Sequence, residues 1–194
     1  MSEYERKRFE EMLAFHSAPT LLGVKCANLF AVHQNEFSAD DIEEYFGCMG
    51  ALKGLSVRCL CRCKSRALVY VYQKELLEMW LLNERTAAFL EGYGYSRTLT
   101  INEKLDILEQ RISCENFPHE FGVFLGYPLD DVLGFIENKG ANCLFCGFWK
   151  VYSDPEGAQR TFNDYVNCRD YLCNNIKHGV DLYSAVVNFR RNDL

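Results

Sequence analysis

The stretch FPHEFGVFLGYP (117–128) places a histidine, His119, just after a proline and ahead of an apolar run. Pro118 biases Phe117 towards extended backbone, so 119–126 is expected to be an interior strand with His119 at its mouth. A histidine there can act as base to a hydroxyl or thiol if a third group orients its ring. The early hydroxyl is Ser17, in HSAPT (16–20), and Cys26 is the less favoured thiol. Glu120 alternates to the opposite face of the strand, which leaves Asn142 or Asp154 to orient the ring. Two other readings stand beside catalysis: a strand-end histidine satisfied by a carbonyl, and a histidine that binds metal or ligand.

Thr20, Lys25 and Glu120 are the candidates for holding a ligand. Lys25 lies in the apolar run GVKCANLF. Its ammonium either reaches out to solvent or binds an anion. Pro19 is expected to end the first helix and open a second. That would set Ser17, Thr20 and free backbone N–H groups at a helix start, suited to an oxyanion or anionic ligand.

Ten cysteines offer a second chemistry. Cys143 and Cys146 form C-x-x-C, and Cys168 and Cys173 a looser pair. Four thiolates suffice for tetrahedral zinc or an iron–sulfur cluster. Residues five apart share a helix face poorly, so this site requires the helix to end near Cys168. Free thiols packed as small hydrophobes, or a redox disulfide, are the alternatives. Cys59, Cys61 and Cys63 fall on one face of a predicted strand, roughly 6–7 Å apart in succession. That is too wide for one metal ion and reads as a thiol-lined core face.

The elements that must position these groups follow from spacing. Ser2 with Glu5 and Thr100 with Glu103 are capping boxes, and Ser38 caps a third helix. SVRCLCRC and ALVYVYQ read as a hairpin about KSR. A long helix is expected over 74–91. Pro128 opens a helix with Asp130 and Asp131 in its first turn. CGFWKVYS is a further strand, and Asp154 with Pro155 starts the next helix. A last helix covers about 178–190. The class is α+β: one domain over 1–194, with a small, mainly antiparallel sheet of about four strands covered by helices. A parallel pairing of 119–126 with 146–152 is the open alternative.

Composition bounds the partners. Net charge is −6, which argues against nucleic acid. The start is too charged for a signal peptide, and no apolar run reaches the ~18 residues of a membrane span. A cytoplasmic protein acting on a small molecule or peptide is expected, with no nucleic acid and no membrane as partner. Cysteines without an export signal are not expected to form a disulfide framework. No phosphate loop, dinucleotide fingerprint or His-Glu-x-x-His pair is present.

Three stretches carry a resemblance: HSAPTLLGVKCANLF (16–30), FPHEFGVFLGYPLDDVLGFIENKGANC (117–143) and GFWKVYSDPEGAQRTFNDYVNCRDYLC (147–173). Together they resemble the uncharacterised bacterial family DUF3793, domain of unknown function 3793, of Firmicutes such as clostridia. The resemblance implies no established activity. It puts Ser17 where the family pattern has a cysteine. HEFGVFLGYP followed by GFWKVY is also similar in texture to the histidine region of papain-like enzymes. That likeness implies a papain-like arrangement and an enzyme-like domain distantly similar to cysteine hydrolases. A metal- or ligand-binding module without turnover, or a protein-interaction domain, is the alternative.

Overall fold

The computed structural model describes residues 2–49, 54–62, 66–112 and 117–191. In chain order the elements are α1 (Glu3–Leu21), β1 (Ala27–His33), α2 (Ala39–Met49), β2 (Leu55–Arg62), β3 (Arg66–Gln73), α3 (Lys74–Leu82), α4 (Glu84–Glu91) and α5 (Ile101–Arg111). They continue with α6 (Phe121–Phe124), α7 (Leu129–Glu137), β4 (Phe145–Cys146), β5 (Lys150–Val151), α8 (Pro155–Lys177) and α9 (Leu182–Asn188). By internal contact the chain falls into two units, Met1–Lys74 with Asp164–Leu194, and Glu75–Asn163. The class is α+β, as expected; among the described residues the small antiparallel sheet has three strands and a further pair of short strands forms a two-stranded sheet. Among the described residues no helix is long and apolar enough to cross a membrane.

In the first unit, α1 opens on the expected capping box. Ser2 Oγ accepts from Glu5 N at 3.3 Å, and the Glu5 carboxylate accepts from Ser2 N at 2.7 Å. Pro19 does not break this helix. It lies in the last turn, where its missing N–H removes only one ladder bond. Its carbonyl accepts from Val24 N at 2.8 Å and Lys25 N at 3.0 Å. The stop is Gly23, whose φ of +70° is left-handed, the usual glycine termination just past a helix. The expected second helix is therefore a turn followed by β1.

The expected hairpin, β2 with β3, is present, and β3 also pairs with β1, giving the order β1-β3-β2. Register runs Phe30↔Val69 on one side of β3 and Val57↔Val71 on the other. The pairing shifts between Cys59 and Cys61. An extra residue there interrupts simple alternation, and Cys59 and Leu60 are both buried. The expectation of one shared thiol face turns on Cys63 and the Cys61 side chain, which lie outside the described residues. Phe9, Leu13, Val69 and Val71 share a core with Cys168, Leu172 and Ile176 of α8 and Leu182 and Val186 of α9. Glu10 braces it: its carboxylate accepts from Tyr45 Oη at 3.0 Å, Arg6 Nε at 3.0 Å and Leu182 N at 3.3 Å.

In the second unit the expected 74–91 helix is two helices. Asn83 separates them and caps α4, its Oδ1 accepting from Arg85 N at 3.2 Å. The segment 119–126 is not a strand. His119 and Glu120 form a turn, α6 is a single helical turn, and Gly126 is left-handed at φ +72°. Its carbonyls are used locally: Phe121 O takes Leu125 N at 3.1 Å, Gly122 O takes Tyr127 N at 3.0 Å and Val123 O takes Gly126 N at 2.9 Å. Among the described residues this segment pairs with no strand, so the parallel pairing with 146–152 is not found. CGFWKVYS is likewise not one strand but most of a hairpin, with Phe145↔Val151 and Cys146↔Lys150 paired.

Asp131, buried in α7, holds that hairpin. Its Oδ1 accepts from Tyr152 N at 2.8 Å, Ser153 N at 2.9 Å and Ser153 Oγ at 2.8 Å; Oδ2 accepts from Trp149 Nε1 at 2.7 Å. The carboxylate read from sequence as a favourable helix-start charge is the tie between α7 and β5. Trp149 packs edge-on to Phe162 of α8, with ring centres 4.5 Å apart.

Candidate functional site

The polar groups of the first unit gather where α1 ends and β1 begins. Ser17 and Thr20 are in the last turn of α1, not at a helix start, because the helix runs through Pro19. The expected free N–H groups are therefore absent from this point. Thr20 Oγ1 donates to Asn28 Oδ1 at 2.7 Å. Gln73 Nε2 donates to the Thr20 carbonyl at 2.9 Å, and Gln73 N to the Cys26 carbonyl at 2.8 Å. These bonds tie the end of α1, the start of β1 and the end of β3 into one neighbourhood.

Lys25 lies within it. The side chain does not reach out to solvent; the residue is 5% exposed. Its Nζ stands 5.5 Å from the centre of the Tyr165 ring, within cation–π range. Burial lowers its pKa to about 8, with adjacent Cys26 opposing the shift. Burial pushes the Cys26 thiol up to about 11, against the pull of Lys25. At neutral pH Cys26 is thus a protonated thiol, the wrong form for a nucleophile. Tyr70 is fully buried, and that burial, with Cys26 and Tyr72 adding to it, raises its hydroxyl well above the usual range. Its ring stacks on Tyr72, with centres 5.3 Å apart. Of this neighbourhood, spacing singled out Ser17, Thr20, Lys25 and Cys26. It gave no signal for Asn28, Tyr70, Gln73 or Tyr165, which the fold supplies from elsewhere in the chain.

The members of the expected nucleophilic pair belong to different units, Ser17 to the first and His119 to the second. Ser17 is wholly buried and its Oγ has no hydrogen-bond partner, so no base engages it. His119 is exposed, with its ring centre 6.0 Å from that of Phe135. Asn142 is exposed in a left-handed turn at φ +56°. Among the described residues neither His119 nor Asn142 makes a side-chain hydrogen bond.

Glu120 is buried in the second unit, where Arg111 Nε and Tyr95 Oη both donate to its Oε1, the latter at 3.3 Å; Oε2 has no partner. The Tyr95 hydroxyl is raised by burial and then by that carboxylate. The Arg111 guanidinium lies over the Tyr93 ring, 5.7 Å from its centre. Glu120 is therefore an internal ion-pair partner, placed by a turn and not by strand alternation.

Cys143 is half-buried and Cys146 exposed, at the hairpin of the second unit. Cys168 and Cys173 belong to the first unit, one buried and one half-buried. Burial pushes the Cys168 thiol up to about 12 and also raises Cys173. The helix carrying them does not end near Cys168, as a four-thiolate site required, but runs to Lys177. Five residues of helix turn a side chain by about 140° from its starting direction. Among the described residues, no three His, Cys, Asp or Glu side chains are grouped so as to hold a metal ion.

No curated protein and no solved structure matches the chain. The family model described as Protein of unknown function (DUF3793) matches residues 13–186, a span that takes in Ser17, Thr20, Lys25, His119 and the C-x-x-C pair alike. The chain belongs to the DUF3793 family.

Proposed function

We propose that the chain is a small-ligand-binding module that receives an anionic molecule, a carboxylate or a phosphate, at Lys25. The observation that carries this reading is an ammonium buried to 5% exposure beside the Tyr165 ring. Burial lowers its pKa to about 8, because taking the charge out of water disfavours the ammonium form. An arriving anion offsets the desolvation, and a charge pair in a low-dielectric surrounding is far stronger than one in water. Ser17 Oγ, a buried hydroxyl without a partner, and Thr20, in the same turn of α1, add polar groups close along the chain. The hydrolase-like reading around His119, Ser17 and Asn142 is the weaker one, because Ser17 Oγ meets no base. A bacterial, cytoplasmic setting agrees with the cysteine content and the family resemblance.

Calorimetric titration of the full chain and of Lys25→Met with inorganic phosphate, acetate and oxalate tests this. One probe is expected to bind wild type and lose affinity in the variant. Its affinity should fall about tenfold per pH unit above 8, as the amine loses its proton. Failure of all three probes to bind, or equal binding to both proteins, contradicts the reading.

A further inference from the structure

We propose that Cys143 and Cys146 form a reversible dithiol–disulfide pair, oxidised by small disulfides. This is independent of the ligand reading at Lys25, which concerns the other unit.

The first support is backbone geometry. In an extended strand, residues three apart stand about 10 Å apart on opposite faces. Here the chain is not extended. Between the two cysteines the chain bends at Leu144, before Cys146 pairs with Lys150. A disulfide needs Cα atoms about 4.4–6.8 Å apart, which a bent C-x-x-C segment reaches and a straight one does not.

The second support is what surrounds the pair. The Tyr152 hydroxyl is buried without a hydrogen-bond partner. After burial, its upward shift comes from Cys143, Asp131 and Cys146, so both thiols act on one atom. The third support is mechanical. The β5 limb of the hairpin is fixed by the four hydrogen bonds to Asp131, and Gly147 is pressed against Phe162. Ring closure needs movement only in the limb 143–146, leaving those contacts in place.

Access sets the order of events. Cys146 is exposed and Cys143 half-buried, whereas Cys26 and Cys168 are buried. The Cys146 thiolate attacks one sulfur of a small disulfide, forming a mixed disulfide and releasing one thiolate, which takes a proton. The Cys143 thiolate then attacks the Cys146 sulfur and expels the second small thiol. Two protein thiols lose two electrons and two protons; the small disulfide gains both.

The test uses the full chain in chelator-containing buffer with oxidised glutathione, followed by acid quenching, maleimide labelling and peptide mass analysis. The expected product is a peptide with Cys143 joined to Cys146, lighter by two hydrogens and restored by dithiothreitol. Cys143→Ser should stop at a glutathione adduct on Cys146. Two outcomes overturn the proposal: wild type that stays as the glutathione adduct, and both thiols still open to maleimide while other cysteines oxidise. The wild-type peptide map decides alone if the serine variant fails to fold.

Discussion

Lys25 Nζ lies 5.5 Å from the centre of the Tyr165 ring, pairing a turn between α1 and β1 with the middle of α8. Nothing in the local sequence of either segment announces the other. The helix brings an aromatic face to a cation that the preceding turn has carried inside.

That burial has a signature in stability. The Lys25 pKa is about 8 in the folded chain against an ordinary 10.5. Between those values the unfolded chain holds a proton that the folded chain has lost, so stability rises with pH. Cys26 acts in the opposite sense: folded about 11 against an ordinary 9.0, it lowers stability between pH 9 and 11. The window belonging to Lys25 alone is pH 8 to 9. There wild type should gain about 1 kcal/mol relative to Lys25→Met, measured by urea denaturation at both pH values. Parallel behaviour of the two proteins would mean that Lys25 is not buried as a cation.

Ser17 discriminates between a nucleophile and a packing residue. Its hydroxyl is wholly buried with no partner, so Ser17→Ala removes an unsatisfied polar atom. The change should leave stability unchanged or raise it by up to about 1 kcal/mol in thermal unfolding. A loss larger than that would show that the hydroxyl has a partner in solution.

Asp131→Asn tests the tie between α7 and the hairpin. The substitution replaces an acceptor of four hydrogen bonds with a group that carries its own donor. With the amide oxygen at the Oδ1 place, Trp149 Nε1 loses its partner and the other three donors keep a weaker, uncharged acceptor, at a cost of about 1–3 kcal/mol. Denaturation should show that loss, and hydrogen exchange should speed up at Tyr152 N and Ser153 N. Unchanged stability would contradict the assignment.

Much of the scaffold was legible in the sequence because its signals are local. The capping boxes at Ser2 and Thr100, the Ser38 cap and the β2–β3 hairpin each arise from residues a few positions apart. Errors came where one residue type has two uses. Pro19 reads as a breaker, yet in a last turn its missing N–H costs little, and Gly23 is the true stop. The run FGVFLGY carries no charge, and over so few residues the pattern suits a buried helical turn as well as a strand. Gly122 and Gly126 were the better clue, since a left-handed Gly126 closes the turn after α6. For the candidate site, Thr20 and Lys25 were found by type and setting. Asn28, Tyr70, Gln73 and Tyr165 were not, because strand pairing and helix packing deliver them from distant segments.

The central claim, that the buried Lys25 ammonium receives an anion, is tested most directly by nitrogen-15 NMR of the Lys25 Nζ. Its titration is to be followed first without a ligand and then with whichever of phosphate, acetate or oxalate binds. The account predicts a pKa near 8 in the free protein and an upward shift when the anion is added, as the pair restores the charged form. An ordinary lysine titration in the free protein, or one that no anion moves, would contradict it.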